Sequence, residues 1–390
     1  MLAHSRTVTA VPADTLTPMY GTLLRHPLRS LLVAAGAIGL VRFARAARGV
    51  PTALGASRRR LFPTVSGSPH YRDGQFANRL PGTAIGAGGA PRLVIALLQH
   101  RDHGKPAGEI PVSRPEFPAT AADLAVTWLG HASALLEIDG HRLLFDPLFS
   151  ARASPSTRVG PHRMHPTPLD PAELPEVGAI VISHDHYDHL DLPTIRTLVA
   201  TQSAPFLVPI GIGTHLRGWG IPEERIVELD WDESTTVGPL AMTCTEARHF
   251  SGRGVTRNLT QWGSWSIAGP AHRVYFGGDT GYTPAFAGIG ARRGRFDLTL
   301  LPIGAYADQW PDIHMDPEQA WRAHGDLGGD IMVPIHWGTF DLALHGWAEP
   351  VERLLTAAGE DPRVVIPRPG QRLDLAQLPE RTNWWRPLAR

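Results

Sequence analysis

From Leu124 onwards the chain is built of short apolar runs, each closed by Gly, Pro, Asp, Asn or Ser. Runs of this kind, apolar or alternating and bounded by turn residues, read as β-strands. The stretch "LAVTWLGHASALLEIDGHRLLFDP" predicts strands at Val126–Leu129, Ala134–Ile138 and Arg142–Phe145. The "DG" between the last two is a strong hairpin signal. Further strands are predicted in "VGAIVIS", "APFLVPI", "RIVELD", "LAMTCTEA", "SWSIAG", "HRVYFGG", "LTLLPI" and "DIMVPI". Helical patterns fall between some of them, at "LPTIRTLVA", "DPEQAWRAH" and "WAEPVERLLTAA". Many strands with interspersed helices predict an α/β fold with large sheets.

Upstream the texture differs. Residues 61–123 are rich in Pro and Gly and predict an extended arm lying on the α/β domain of residues 124–390, with one short helix at "PRLVIALLQH". Residues 1–60 form an Arg-, Ala- and Gly-rich leader. Within it, Ser30–Val41 is an uncharged stretch of 12 residues, against the ~20 that a bilayer-spanning helix needs. With Arg25, Arg29, Arg42 and Arg45 at its flanks, the segment 25–45 reads as a helix lying on a membrane surface. A signal-like segment and an ordinary buried helix or leader are the two other readings.

A chain of 390 residues suits one large α/β domain with an additional segment. Lys+Arg and Asp+Glu both number 37, so net charge gives no whole-protein attraction for nucleic acid. Cys244 is the only cysteine. An intramolecular disulfide and a cysteine-based zinc site are therefore excluded, and Cys244 reads as a buried strand residue. Any metal must be held by His, Asp or Glu, and the 19 histidines supply candidates.

The densest chemistry lies in "ISHDHYDHLD", Ile182–Asp191, directly after an apolar strand. Turns at strand C-ends are where ligands bind in α/β sheets. His184, His186, Asp188 and His189 are too many groups for one metal that must stay open to substrate, but they suit two. Asp191 supports the N-terminus of the next helix, while Asp185 is left without a metal. Other metal-type residues also follow apolar runs: His249 after "AMTCTEAR", Asp279 after "RVYFGG" and His336 after "DIMVPI". Gly277 and Gly278 let the backbone turn sharply before Asp279.

The pattern HxHxDH followed by His, Asp and His resembles the metallo-β-lactamase superfamily. The closer resemblance is to N-acylphosphatidylethanolamine-hydrolysing phospholipase D. It rests on "TWLGHA", "FDPLFSARASPS", "ISHDHYDHLD", "WGSWSI", "GDTGYTPAF", "PIGAY" and "IHWGTF", spread over residues 124–345. Residues 1–60 carry none of these motifs. The resemblance implies an αββα sandwich with a dinuclear metal site at strand C-ends. It implies that His184, His186 and His249 hold one zinc, that Asp188, His189 and His336 hold the second, and that Asp279 bridges the two. A hydroxide held between two zincs would attack the phosphorus of a phosphodiester, giving an N-acylethanolamine and phosphatidic acid. Asp146 would orient a zinc-bound histidine; the alternative is a turn residue. His314 would bind the phosphate or protonate the leaving oxygen; the alternative is a residue that merely starts a helix.

Arg152, Arg158, Arg163 and Arg257 are weaker candidates for a phosphate head group, and Trp310 for an acyl-chain groove. The partners implied are a phospholipid substrate, a membrane surface bound peripherally and a second copy of the chain. The implied location is the cytoplasm or a membrane face, with the leader as an anchor. Two other readings remain: hydrolysis of a different substrate, such as a lactone, an amide or another phosphodiester, and a metal-binding lipid sensor without turnover.

Overall fold

A computed structural model of the chain describes residues 27–82, 100 and 103–390. The chain divides into two compact units, residues 1–48 and 49–390. In the first, helix α1 runs over Pro27–Ala47. Among the described residues no helix is long and apolar enough to cross a membrane. Arg25 of the segment read as a membrane-surface helix lies outside the described residues, as does most of "PRLVIALLQH".

The second unit begins with two short helices, α2 (Val50–Ala53) and α3 (Arg58–Val65), and a small hairpin of β1 (Tyr71–Arg72) and β2 (Gln75–Phe76). The leader–arm boundary expected at residue 60 falls inside α3. Two large sheets follow. The first carries β3 (Leu124–Gly130), β4 (Ser133–Ile138), β5 (His141–Phe145), β6 (Ala179–Val181), β7 (Phe206–Pro209) and β8 (Ile226–Leu229) in sequence order, with β15 (Arg372–Asp374) added beside β3. The second carries β9 (Ser234–Val237), β10 (Leu240–Thr245), β11 (Ser264–Ala268), β12 (Arg273–Phe276), β13 (Phe296–Pro302) and β14 (Gly329–Ile335), again in sequence order.

The sheets face each other because one set of alternate residues on each is apolar. Val126, Trp128, Leu136, Leu143, Phe145 and Val181 from the first sheet share a core with Met242, Trp265, Ile267, Phe276 and Leu300 from the second. The rings of Phe145 and Phe276 meet across the gap at 4.6 Å. The first sheet is apolar on its outer side too: Leu135, Leu144, Ile180 and Val208 form a separate core. They are covered by α4 (Leu192–Thr201) and α5 (Ile212–Gly218), through Ile195, Leu198, Ile212 and Leu216. Strands buried on both faces lose polar alternation, which is why "AIV" and "FLVP" are continuous apolar runs. Helices α6 (Ala285–Arg293), α7 (Pro317–Asp326) and α8 (Glu349–Ala357) serve the second sheet, through Phe286, Ala320, Ala323 and Leu354. The result is the expected αββα sandwich.

Strand direction decides where the chemistry gathers. In the first sheet β3 and β4, and β4 and β5, are antiparallel, while β5 and β6 are parallel. The C-ends of β3, β5 and β6 therefore share one edge. In the second sheet β10, β11 and β12 alternate and β12, β13 and β14 are parallel. The C-ends of β10, β12 and β14 likewise share an edge.

Candidate metal centre

Each C-end at these two edges delivers one or more polar residues. Beyond β6, Ile182 and Ser183 lead into His184, and Asp191 ends the turn as the N-cap of α4 by accepting from the Thr194 N–H. Beyond β12, Gly278 sits at φ +56, and a Cβ there would lie 2.5 Å from the Cβ of Ser183. Only glycine lets the turn bearing Asp279 pass this close to the one bearing His184. Beyond β14, His336 itself has φ +61. Its N–H donates to the carbonyl of His131, at φ +54, which follows β3. Asp146, following β5, has φ +38. Three non-glycine residues in the left-handed region at one site represent backbone strain held by the surrounding structure. Trp337 helps hold it, packing on Trp128 and Trp384 with ring centroids 5.6 Å away in each case.

Two four-residue ligand groups result, overlapped by two smaller ones, Asp146 with His184 and His189, and His314 with Asp279 and His336. In the first, ligand atoms of His184, His186, His249 and Asp279 lie within 4.8 Å of one another. In the second, those of Asp188, His189, His336 and His131 do. Asp279 faces both. Its Oδ1 is 3.1 Å from His336 Nε2. Its Oδ2 is 3.1 Å from His189 Nε2, 3.7 Å from His249 Nε2 and 3.8 Å from His184 Nε2. The structure thus gathers all seven residues expected from the sequence.

The hydrogen-bond pattern tests whether these groups suit a cation. His249 Nδ1–H donates to the Ile313 carbonyl at 2.8 Å, leaving Nε2 as a lone pair. Asp146 accepts from Ser183 N–H, Ser183 Oγ–H and His189 Nδ1–H, at 2.7, 2.5 and 2.7 Å. With its one proton given to Asp146, the Ser183 hydroxyl accepts from His184 Nδ1–H at 2.9 Å. The Nε2 atom of His184 is therefore a lone pair as well, while His189, with Nδ1–H given to Asp146, turns its Nε2 to Asp279 at 3.1 Å. His186 Nδ1 lies 2.8 Å from one bare nitrogen and 3.3 Å from another, on His184 and His249. A single proton cannot satisfy that convergence. His189 Nε2, Asp279 Oδ1 and both ring nitrogens of His336 are buried without a hydrogen-bond partner. Converging buried lone pairs beside carboxylates fit divalent metal, with outer partners setting each tautomer.

The electrostatics divide along the same line. Burial pushes His184 and His249 well below the usual histidine range, and His186 below it too. These rings are neutral and ready to coordinate. Burial also opposes charge on His189 and His336, but nearby carboxylates outweigh it. Asp279, Asp188 and Asp146 lift His189 well above its ordinary value, and Asp279 and Asp188 lift His336 to about 9. The second group therefore holds protons that a metal must displace.

The remaining candidates separate. His314 sits 5.0 Å from the His249 ring and 5.2 Å from the His336 ring, and burial pushes it down to about 4. Arg257 is exposed and stacks at 4.7 Å on Phe250, whose ring is 4.4 Å from that of His186. Arg163 is buried, bonds the Leu148 and Ser150 carbonyls and lies over Phe340. Arg152 turns to the Gly160 carbonyl, and the Arg158 N–H donates to Ser156 Oγ. The Trp310 indole N–H donates to the Ala305 carbonyl. Cys244 is buried in β10. Asp185 accepts from Gly252 N–H and the Thr260 hydroxyl and pairs with His215. His131 was not predicted: its Nε2 is 2.8 Å from Asp188 Oδ2 and its ring 4.0 Å from that of His336. The signal was present, since His131 follows an apolar strand just as His249, Asp279 and His336 do.

A family model described as a beta-lactamase superfamily domain matches residues 141–337. An uncharacterized protein of Mycobacterium tuberculosis is 52% identical over 368 residues, covering 92% of this chain and 99% of that one. N-acyl-phosphatidylethanolamine-hydrolyzing phospholipase D 1 of Caenorhabditis elegans is 31% identical over 334 residues, covering 77% of this chain and 94% of its own. Among solved structures, an isothiocyanate hydrolase from Delia radicum gut bacteria superposes with a TM-score of 0.52 at 21% identity, covering 64% of this chain and 98% of that one. That last likeness is one of fold.

Proposed function

The chain belongs to the beta-lactamase superfamily as a metal-dependent hydrolase, and from that premise we propose that it is a zinc phosphodiesterase of phospholipase D type. Its substrate in this reading is N-acylphosphatidylethanolamine, cleaved to N-acylethanolamine and phosphatidic acid. The observation that carries the reading is the 31% identity to the nematode phospholipase D, which extends over 94% of that enzyme and not over a metal motif alone.

His184, His186 and His249 would hold one zinc, and Asp188, His189 and His336 the second, with Asp279 between them. Bound there, the metals would supply positive charge for the phosphate oxygens and acidify a coordinated water. The chain's own residues do the rest. Asp146 and the Ile313 carbonyl fix which nitrogen of His189 and His249 is free. His314, neutral at pH 7, donates a hydrogen bond to a phosphate oxygen more readily than it acts as a standing acid. Arg257, exposed beside Phe250 and His186, offers a guanidinium to the head-group side. A peripheral stay at a membrane surface and a homodimer belong to the same proposal.

The test is release of N-acylethanolamine from vesicles by the purified protein, with and without a chelator, alongside metal analysis. Release that stops with chelator and returns with zinc is expected. Chelator-insensitive release removes the metal from the reading, while rapid lactone opening with no lipid cleavage removes this substrate and leaves the second reading, another hydrolysis on the same centre.

A further inference from the structure

Segment 49–82 lies far from the ligand loops in sequence, yet touches two of them. The side-chain amide of Asn78 meets the backbone of His249 on both sides. Its Nδ2–H donates to the His249 carbonyl at 2.8 Å, and its Oδ1 accepts from the His249 N–H at 3.1 Å. The same Oδ1 accepts from the Trp262 indole at 3.0 Å, so the amide cannot flip without losing all three bonds. With Nδ1 tied to Ile313, the His249 ring and peptide are both fixed.

The second contact reaches the residue between His184 and His186. The N–H of Ala56 donates to His215 Nδ1 at 2.8 Å, which puts the ring proton on Nε2, 3.3 Å from Asp185 Oδ2. Asp185 in turn collects Gly252 N–H at 2.7 Å and the Thr260 hydroxyl at 2.8 Å. The segment is itself anchored, through buried Phe76, whose N–H bonds the Asn258 carbonyl, and through His70 on Asp230. Among the described residues, no hydrogen bond joins it directly to Asp188, His189 or His336, though the Ala53 carbonyl accepts from Arg253, whose guanidinium donates to the Asp185 and Leu190 carbonyls on either side of Asp188 and His189.

We infer that Asn78 braces the first ligand group from outside the ligand loops, as the positioning residue for His249. The inference rests on the metal reading above. Partners of this kind typically change metal affinity by ~10–100-fold when removed.

The experiment uses the full chain, stripped of metal and titrated with zinc against a chromogenic chelator, with thermal unfolding of the stripped protein measured in parallel. Asn78→Ala is expected to weaken one of two zincs by ~10–100-fold and leave the other unchanged, and to add nothing further in a His249→Ala background. Asn78→Asp keeps the oxygen but loses the donor to the His249 carbonyl, and is expected to fall between wild type and Asn78→Ala; it carries the test if the alanine variant does not fold. Arg79→Ala is the control. It breaks surface pairs to Asp232 at 2.9 Å and Glu246 at 2.5 Å without touching His249, and should bind both metals normally. Wild-type affinities in both Asn78 variants overturn the inference. So does equal weakening of both metals by Asn78→Ala and Arg79→Ala, since the segment then only holds the fold. A wild-type chain that takes up no zinc removes the metal reading itself, and this inference with it.

Discussion

Asp279 lies between the ligand groups, with Oδ1 3.1 Å from His336 Nε2 in the second and Oδ2 3.7 and 3.8 Å from the Nε2 atoms of His249 and His184 in the first. Asp279→Asn keeps the shape and removes the charge that both groups share. Turnover should fall by more than the ~10–100-fold typical of an outer partner, with the stripped protein unfolding much as wild type does. Near-normal turnover with both metals bound would dismiss a bridging role. His131 predicts a different pattern. His131→Ala takes the 2.8 Å partner from Asp188, so metal affinity at the second group should weaken by ~10–100-fold while that at the first is retained; competition titration reads this directly. The seven candidate ligands were legible because each is a metal-type residue placed after an apolar run. Asp146 was legible for the same reason. Asn78 was not, because an asparagine in a loop has no pattern that names a backbone 171 positions away. Nor could sequence show that His131, Asp146 and His336 sit at positive φ, since none is glycine.

Among the elements, strands were easier to read than helices, for a physical reason. A strand buried on both faces is a continuous apolar run, as in β6 and β7. Strand β9, "STTV", is partly exposed and mostly polar, and went unpredicted although it pairs with β10 across four positions. Helices α4, α7 and α8 were read from their periodicity. Helix α5 has seven residues, too short to display its period, and α6 carries two glycines in "AFAGIGARR". Helix α7 shows what its N-cap contributes: Asp316 accepts from the Gln319 N–H at 2.7 Å within a capping box. Asp316→Ala should cost ~1 kcal/mol in urea unfolding, without changing metal content. The turn after β12 is less forgiving. Gly278→Ala puts a methyl 2.5 Å from Ser183 Cβ at φ +56, and should cost ~1–3 kcal/mol. A stability equal to wild type would mean that the two turns do not abut as described.

For the whole molecule, the acid limb of stability should show its buried histidines. Burial pushes His165 and His324 down to about 4 from an ordinary 6.5. Between those values the unfolded chain holds protons that the folded chain does not. Stability is therefore complete above pH 6.5 and is lost as pH falls towards 4, at up to ~1.4 kcal/mol per pH unit for each group. His324→Gln in the metal-free protein should flatten that slope in denaturant titrations at pH 7, 5.5 and 4.5; an unchanged slope would place the proton uptake elsewhere. The convergence of strand ends has a further consequence, in time and not in space. The ligands come from both sheets: His184, His186, Asp188 and His189 follow β6, while His249, Asp279 and His336 follow β10, β12 and β14. Neither sheet alone holds a complete set, so the ion-binding geometry exists only once the two have docked, and a docking step later than the main barrier to folding has a kinetic signature. A bound metal should then slow unfolding by the full stabilisation it confers and leave the refolding rate almost untouched, a signature that stopped-flow measurements with and without added metal can read.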